Sequence, residues 1–109
     1  MTWVVEYLPE VEKDLKSLSP ARRLIARKAI EKVKQNPLPQ SEGGYGKPLG
    51  HKSGTNLTNL LKIKLRGEGI RIVYKLVRTE DKMMVIVIGV REDNEVYEIA
   101  GKRRASHGI

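Results

Sequence analysis

The chain contains no cysteine in 109 residues, which excludes disulfide staples and thiolate metal sites and suits a reducing compartment. It also lacks a long hydrophobic run, since the longest, Met83 to Val90, falls far short of the roughly 20 apolar residues that a membrane-spanning helix needs. The first residues do not show the basic, apolar and small-residue order of a signal peptide. These absences predict a cytoplasmic protein with no membrane partner. Histidine is limited to His51 and His107, and neither stands at ligand spacing from carboxylates, so no metal site and no cofactor are expected. No serine-centred nucleophile motif occurs. Gly43-Gly-Tyr-Gly46 does not lead from a strand into a helix and is therefore no phosphate loop. With no internal repeat, residues 1–109 read as a single domain with one core.

Acidic residues are in short supply. The chain carries 13 Asp and Glu against 21 Lys and Arg, a net charge of +8. The excess is not even: residues 1–40 hold 8 basic and 5 acidic side chains, residues 41–78 hold 8 and 2, and residues 79–109 hold 5 and 6. A basic field concentrated in the middle of the chain points to a polyanionic partner such as nucleic acid, bound in a salt-dependent way.

Periodicity supplies the elements. Trp3 to Tyr7 reads as a strand ended by Pro9, with Trp3 and Tyr7 on one face and expected in the core. Val11, Leu15 and Leu18 recur at helical spacing. Ser19-Pro20 is an N-cap followed by proline at the first helical position. Behind it Ala21, Leu24, Ile25, Ala29, Ile30 and Val33 form one stripe, with Arg22, Arg23, Arg27 and Lys28 on the basic outer side. Residues 37–56 are dense in proline and glycine and are expected to form the one long loop. Met83 to Val90 should be a central strand covered on both faces. Asp93 can open a last helix bearing Val96, Tyr97, Ile99 and Ala100. The order predicts an α+β fold with a mainly antiparallel four-stranded sheet, two N-terminal helices on one face, a short C-terminal helix, and cations on the other face.

Those cations lie in Leu61-Lys-Ile-Lys-Leu-Arg66 and Gly69-Ile-Arg-Ile-Val-Tyr74. Side chains alternate across a strand, so leucine and isoleucine go to a core while Lys62, Lys64 and Arg66 share an outer surface. A two-residue turn at Glu68-Gly69 would pair Arg66 with Arg71 and place Arg71 on that surface too; a three-residue loop would turn it away. Such a surface suits a phosphodiester. RNA carries its own nucleophile, the 2'-hydroxyl, so scission requires only a base, an acid and fixed positive charge around the phosphorane, for which the forked guanidinium is well shaped. Exposed sheet faces are often basic, however, and alternation alone fits a merely solvated surface equally well. It also leaves open which lysine takes the proton. Tyr97 could stack on an unpaired base or simply pack.

Together with Lys47-Pro-Leu-Gly50, Val87-Ile-Gly-Val-Arg91 and Glu95-Val-Tyr97, these segments resemble, in order and over nearly the whole chain, the RelE toxins of the bacterial RelE/ParE toxin-antitoxin superfamily. The resemblance implies a microbial-RNase-like fold and ribosome-dependent cleavage of mRNA in the decoding A site by metal-free 2'-hydroxyl attack. It implies that Lys62 and Lys64 supply the base and phosphate stabilisation, that Arg71 holds the transition-state phosphate, that Arg91 assists the leaving 5'-oxygen, and that Tyr97 stacks on the base. Lys52, Arg66, Lys75, Arg22, Arg23, Arg27 and Lys28 are the further residues expected to meet RNA or the ribosome. A cognate antitoxin is the implied protein partner. The alternatives are a ParE-like toxin that acts on DNA gyrase without cutting RNA, and a nucleic-acid-binding module without catalysis.

Overall fold

Alternating apolar residues make the sheet that carries everything else. The computed structural model describes residues 3–52, 55–90 and 93–109, apart from the side chains at 51, 52, 55, 56, 93 and 94. Among these the strands are β1 (Val4–Tyr7), β2 (Lys47–Lys52), β3 (Thr55–Leu65), β4 (Ile70–Val77) and β5 (Lys82–Gly89). The helices are α1 (Pro9–Ser17), α2 (Pro20–Val33) and α3 (Asp93–His107). The strands form one sheet in the order β1-β5-β4-β3-β2. β1 runs parallel to β5 and the other neighbours are antiparallel.

The sheet therefore has five strands where the order of elements suggested four. The extra strand is β2, in the segment expected to be a loop. Pro48 lies in it, and proline is tolerated there because β2 is an edge strand. Opposite it β3 bulges: Pro48 faces Leu61 and Gly50 faces Leu57, so β3 spends two more residues than β2 over the same span. Asn59 absorbs the irregularity with φ 73° and Gly50 with φ 61°. Gly46, just before β2, is fixed for a different reason, since a Cβ there would overlap the Tyr74 hydroxyl.

β5 matches its expected role. It lies inside the sheet, and Met83, Val85, Ile86, Val87 and Ile88 are all buried, each such side chain stabilising the fold by about 1.5–3 kcal/mol relative to exposure. β1 does not match: it is the other edge, so Tyr7 is 38% exposed and Val4 61% exposed, and the tyrosine expected in the core is half out of it.

α2 starts as read, with the Ser19 hydroxyl accepting from the Arg22 N–H at 3.3 Å. Its buried residues are Ala26, Ile30 and Val33, while Leu24 is exposed, so the packed stripe is rotated from the one expected. α3 is the larger correction. It is the longest helix, 15 residues, and it lies across the sheet face bearing the cations, opposite the face reached by the end of α2. Ile70, Ile72 and Tyr74 of β4 point to the α2 side, where the Tyr74 hydroxyl donates to the Pro37 carbonyl at 2.7 Å. Arg71, Val73 and Lys75 point to α3, and Val73 is fully buried there.

Candidate active site

The turn between β3 and β4 decides where Arg71 goes. Leu65 pairs with Ile70, leaving a four-residue loop from Arg66 to Gly69 where two residues were expected. Four is also an even number, so Arg71 stays on the face of Lys62 and Lys64 but moves two positions in register, opposite Lys64 instead of Arg66. Directly opposed residues bring their Cβ atoms to roughly 4.5–5.5 Å, and like charges so placed repel. Lys62 faces Val73 and Leu60 faces Lys75, so Arg71, Lys64, Lys62 and Lys75 descend along one face.

α3 supplies partners for this row. Lys62 Nζ donates to the Tyr97 hydroxyl at 2.9 Å. The same nitrogen lies 5.5 Å from the Tyr97 ring centroid, close to the summed centroid-to-oxygen and oxygen-to-nitrogen path. The ammonium is thus off the hydroxyl end of the ring and not over its π face, so the contact is a hydrogen bond. Lys75 Nζ donates to the Ile109 carbonyl at 2.9 Å. Arg71 Nη1 donates to the Gly69 carbonyl at 2.9 Å, which holds the guanidinium against its own turn.

Tyr97 is 4% exposed. Stacking on a base would require the ring to leave its packing; what it presents at the cation row is its hydroxyl. Arg66 is exposed at the hairpin tip. Arg91 lies outside the described residues, as does the Lys52 side chain. Arg22, Arg27 and Lys28 are exposed on α2, on the far side of the sheet from Lys62. Arg23 caps α1: its Nε donates to the Leu15 carbonyl at 2.9 Å and its Nη2 to the Leu18 carbonyl at 3.2 Å, which satisfies acceptors that a helix C-terminus leaves open. Among the described residues no group of three His, Cys, Asp or Glu is placed to hold a metal ion. No helix there is long and apolar enough to cross a membrane.

Two features had no local sequence signal. Asp14 of α1 and Arg103 of α3 form a two-fold ion pair, Nη1 to Oδ2 at 2.6 Å and Nη2 to Oδ1 at 3.0 Å. A cavity of about 650 Å³ opens at the β3 bulge between Pro39, Pro48, Leu60, Leu61, Lys75 and Arg78. None of Lys62, Lys64, Arg71 and Tyr97 lines it. Lys62, Lys64 and Arg71 therefore lie outside that cavity, on a surface suited to an extended polyanion, and only Lys75 at the lower end of the row reaches it.

No family model matches the chain. Over 103 residues it is 28% identical to the mRNA interferase toxin RelE of Escherichia coli K12, covering 94% of this chain and 98% of that protein. The mRNA interferase RelE of Shigella flexneri matches equally, at 28% over the same shares. In fold the chain is similar to a mutant of E. coli toxin RelE in the free state, with TM-score 0.73, 26% identity, and 94% and 98% of the two chains covered. It is also similar to a mutant of that toxin in complex with an antitoxin RelBc peptide, with TM-score 0.67, 25% identity, and coverage of 92% and 95%. Sequence and fold thus agree, over nearly the full length of the relatives, in making the chain similar to RelE toxins.

Proposed function

We propose that the protein is the toxin of a type II toxin–antitoxin pair and an endoribonuclease that cuts mRNA in the ribosomal A site, halting translation. The observation that carries this reading is the shared sheet face, where Lys64 stands opposite Arg71 and Lys62 is tied to Tyr97. Relatives named mRNA interferase, similar along nearly the whole chain, support it.

In the proposed reaction one of the two lysines, Lys62 or Lys64, in its neutral form takes the proton of the 2'-hydroxyl. The 2'-oxygen attacks the adjacent phosphorus, the bond from phosphorus to the 5'-oxygen breaks, and a proton reaches that oxygen with help from Arg91. The products are a 2',3'-cyclic phosphate and a 5'-hydroxyl; the nucleophile belongs to the substrate, and no metal enters the step. Arg71 meets the phosphorane, which is more negative than the ground state, so its charge acts where it lowers the barrier. Tyr97 positions the Lys62 side chain through its hydroxyl. Arg66, Lys52 and the exposed cations of α2 contact the ribosome and its RNA, with Lys75 at the lower end of the row.

The protein partner is an antitoxin, in keeping with the RelE chain whose structure contains an antitoxin peptide. The site of action is the cytoplasm, where the ribosomes are. The test is cleavage of a short message on programmed ribosomes with mapping of the new 5' ends. The expected result is cutting within the A-site codon, abolished by Arg71→Ala with Arg91→Ala. Intact message, or cutting indifferent to both changes, overturns the reading.

A further inference from the structure

We propose that Asp14 and Arg103 are a positioning pair that sets the contact between Lys62 and Tyr97. The inference rests on the ribonuclease reading for its consequence in catalysis, and on geometry for the pairing itself. β1 pairs with β5 only from Lys82 to Val85. Beyond that point Ile86 to Gly89 run past the end of β1, and the backbone groups on that edge lose their ladder partners. The ion pair stands in for the missing strand. Asp14 Oδ2 accepts from the Ile88 N–H at 3.1 Å, and Arg103 Nη1 donates to the Ile86 carbonyl at 3.0 Å.

The pair is shielded, with side chains 17% and 14% exposed. An ion pair of that kind gives little stability over a well-packed apolar substitute. What an apolar pair would not give is direction: four directed bonds here fix α1, β5 and α3 to one another. A second rung extends the ladder one turn along both helices, where His107 Nε2 lies 3.0 Å from each Glu10 carboxylate oxygen. α3 is thus set in both rotation and axial position. Tyr97 rides on the same helix, its ring buried and its hydroxyl 2.9 Å from Lys62 Nζ. A shift of α3 by about 1 Å would break that hydrogen bond, and misplacements of this size can cost roughly 100-fold in rate.

The test uses the full-length protein with programmed ribosomes, under single turnover. Arg103→Met is expected to lower the maximal cleavage rate about 10- to 100-fold. Half-saturation with ribosomes should stay within about two-fold, because no substrate contact is removed. Arg103→Lys should recover part of the rate. In a Tyr97→Phe background the further loss on Arg103→Met should shrink to about three-fold or less, the mark of two changes acting on one contact. Equal losses in both backgrounds, an unchanged rate, or a loss that merely tracks the unfolded fraction would overturn the proposal. Should Arg103→Met not fold, Asp14→Asn carries the same comparison. A second readout needs no RNA: the ring signals of ¹³C-labelled Tyr97 in the free protein should move in both variants. If the wild type cuts no message yet those signals move, the ribonuclease reading fails and the positioning role stands. If they do not move, the positioning role fails on its own.

Discussion

The two faces of β4 are built from one eight-residue strand by opposite rules. Toward α2, Ile70, Ile72 and Tyr74 are fully buried, and the one polar atom among them, the Tyr74 hydroxyl, is satisfied by the Pro37 carbonyl. Toward α3, Val73 is buried between Arg71 and Lys75, whose cations are held by carbonyls at Gly69 and Ile109. The first face is closed and stabilises the fold. The second brings like charges to facing positions, Lys64 opposite Arg71, an arrangement that suits an anion. One sheet thus has an apolar, packed side and a cationic side.

The largest effect expected from this division is on activity. Lys62→Met with Arg71→Ala should reduce cleavage of ribosome-bound message by about 100-fold or more, the scale of losing charge stabilisation in a transition state. The unfolding midpoint of that variant should fall by less than that of a truncation on the closed face, since hydrogen bonds to Tyr97 and Gly69 are lost but no core volume is; a larger drop in Tm would break the comparison. On the closed face Ile72→Ala should cost about 2–5 kcal/mol in denaturant unfolding, through lost burial and a residual cavity. Its cleavage rate per folded molecule should be unchanged.

Tyr74→Phe is a finer probe of the same face. It leaves the Pro37 carbonyl without its donor and should cost about 1–2 kcal/mol. Burial pushes the Tyr74 hydroxyl well above the ordinary tyrosine value of 10.0. A folded-state value raised in this way means the contribution is intact below pH of about 10 and is lost as pH climbs further, because the unfolded chain releases a proton that the folded one retains. Unfolding followed from pH 9 upward should therefore show an alkaline loss of stability that is smaller in Tyr74→Phe, as an order-of-magnitude expectation. The smallest effect is expected at the rim. Arg78 grips Glu42 through two hydrogen bonds, at 3.0 and 2.6 Å, and this holds the Glu42 carboxyl below its usual range. Both groups are open to water, so Arg78→Ala should leave Tm within the scatter of the measurement.

Much of this was legible beforehand, and the reasons are local. Alternation between Leu61 and Tyr74 determined which side chains share a face, and an even loop preserved that face even though its length was misread. The uninterrupted apolar run of β5 and the Ser19 cap also did their expected work. β2 was hidden because Pro48 and Gly50 look like loop residues unless the strand is known to be an edge. The place of α3 was hidden because Val96, Tyr97 and Ala100 reveal a helix that packs, but not which face of the sheet it packs on. Asp14 and Arg103, 89 residues apart, carry no periodic mark of their partnership. Only the topology brings them together.

That topology has a kinetic side. The first strand joins the sheet beside residues Lys82 to Val85, a pairing between segments far apart in sequence, and such contacts are slow to form. Until residues 82–109 are free to fold, β1 has no neighbour and the cation row lacks the helix that completes it. During synthesis the cation row is thus completed only after residues 82–109 have emerged, later than the strands that carry its lysines.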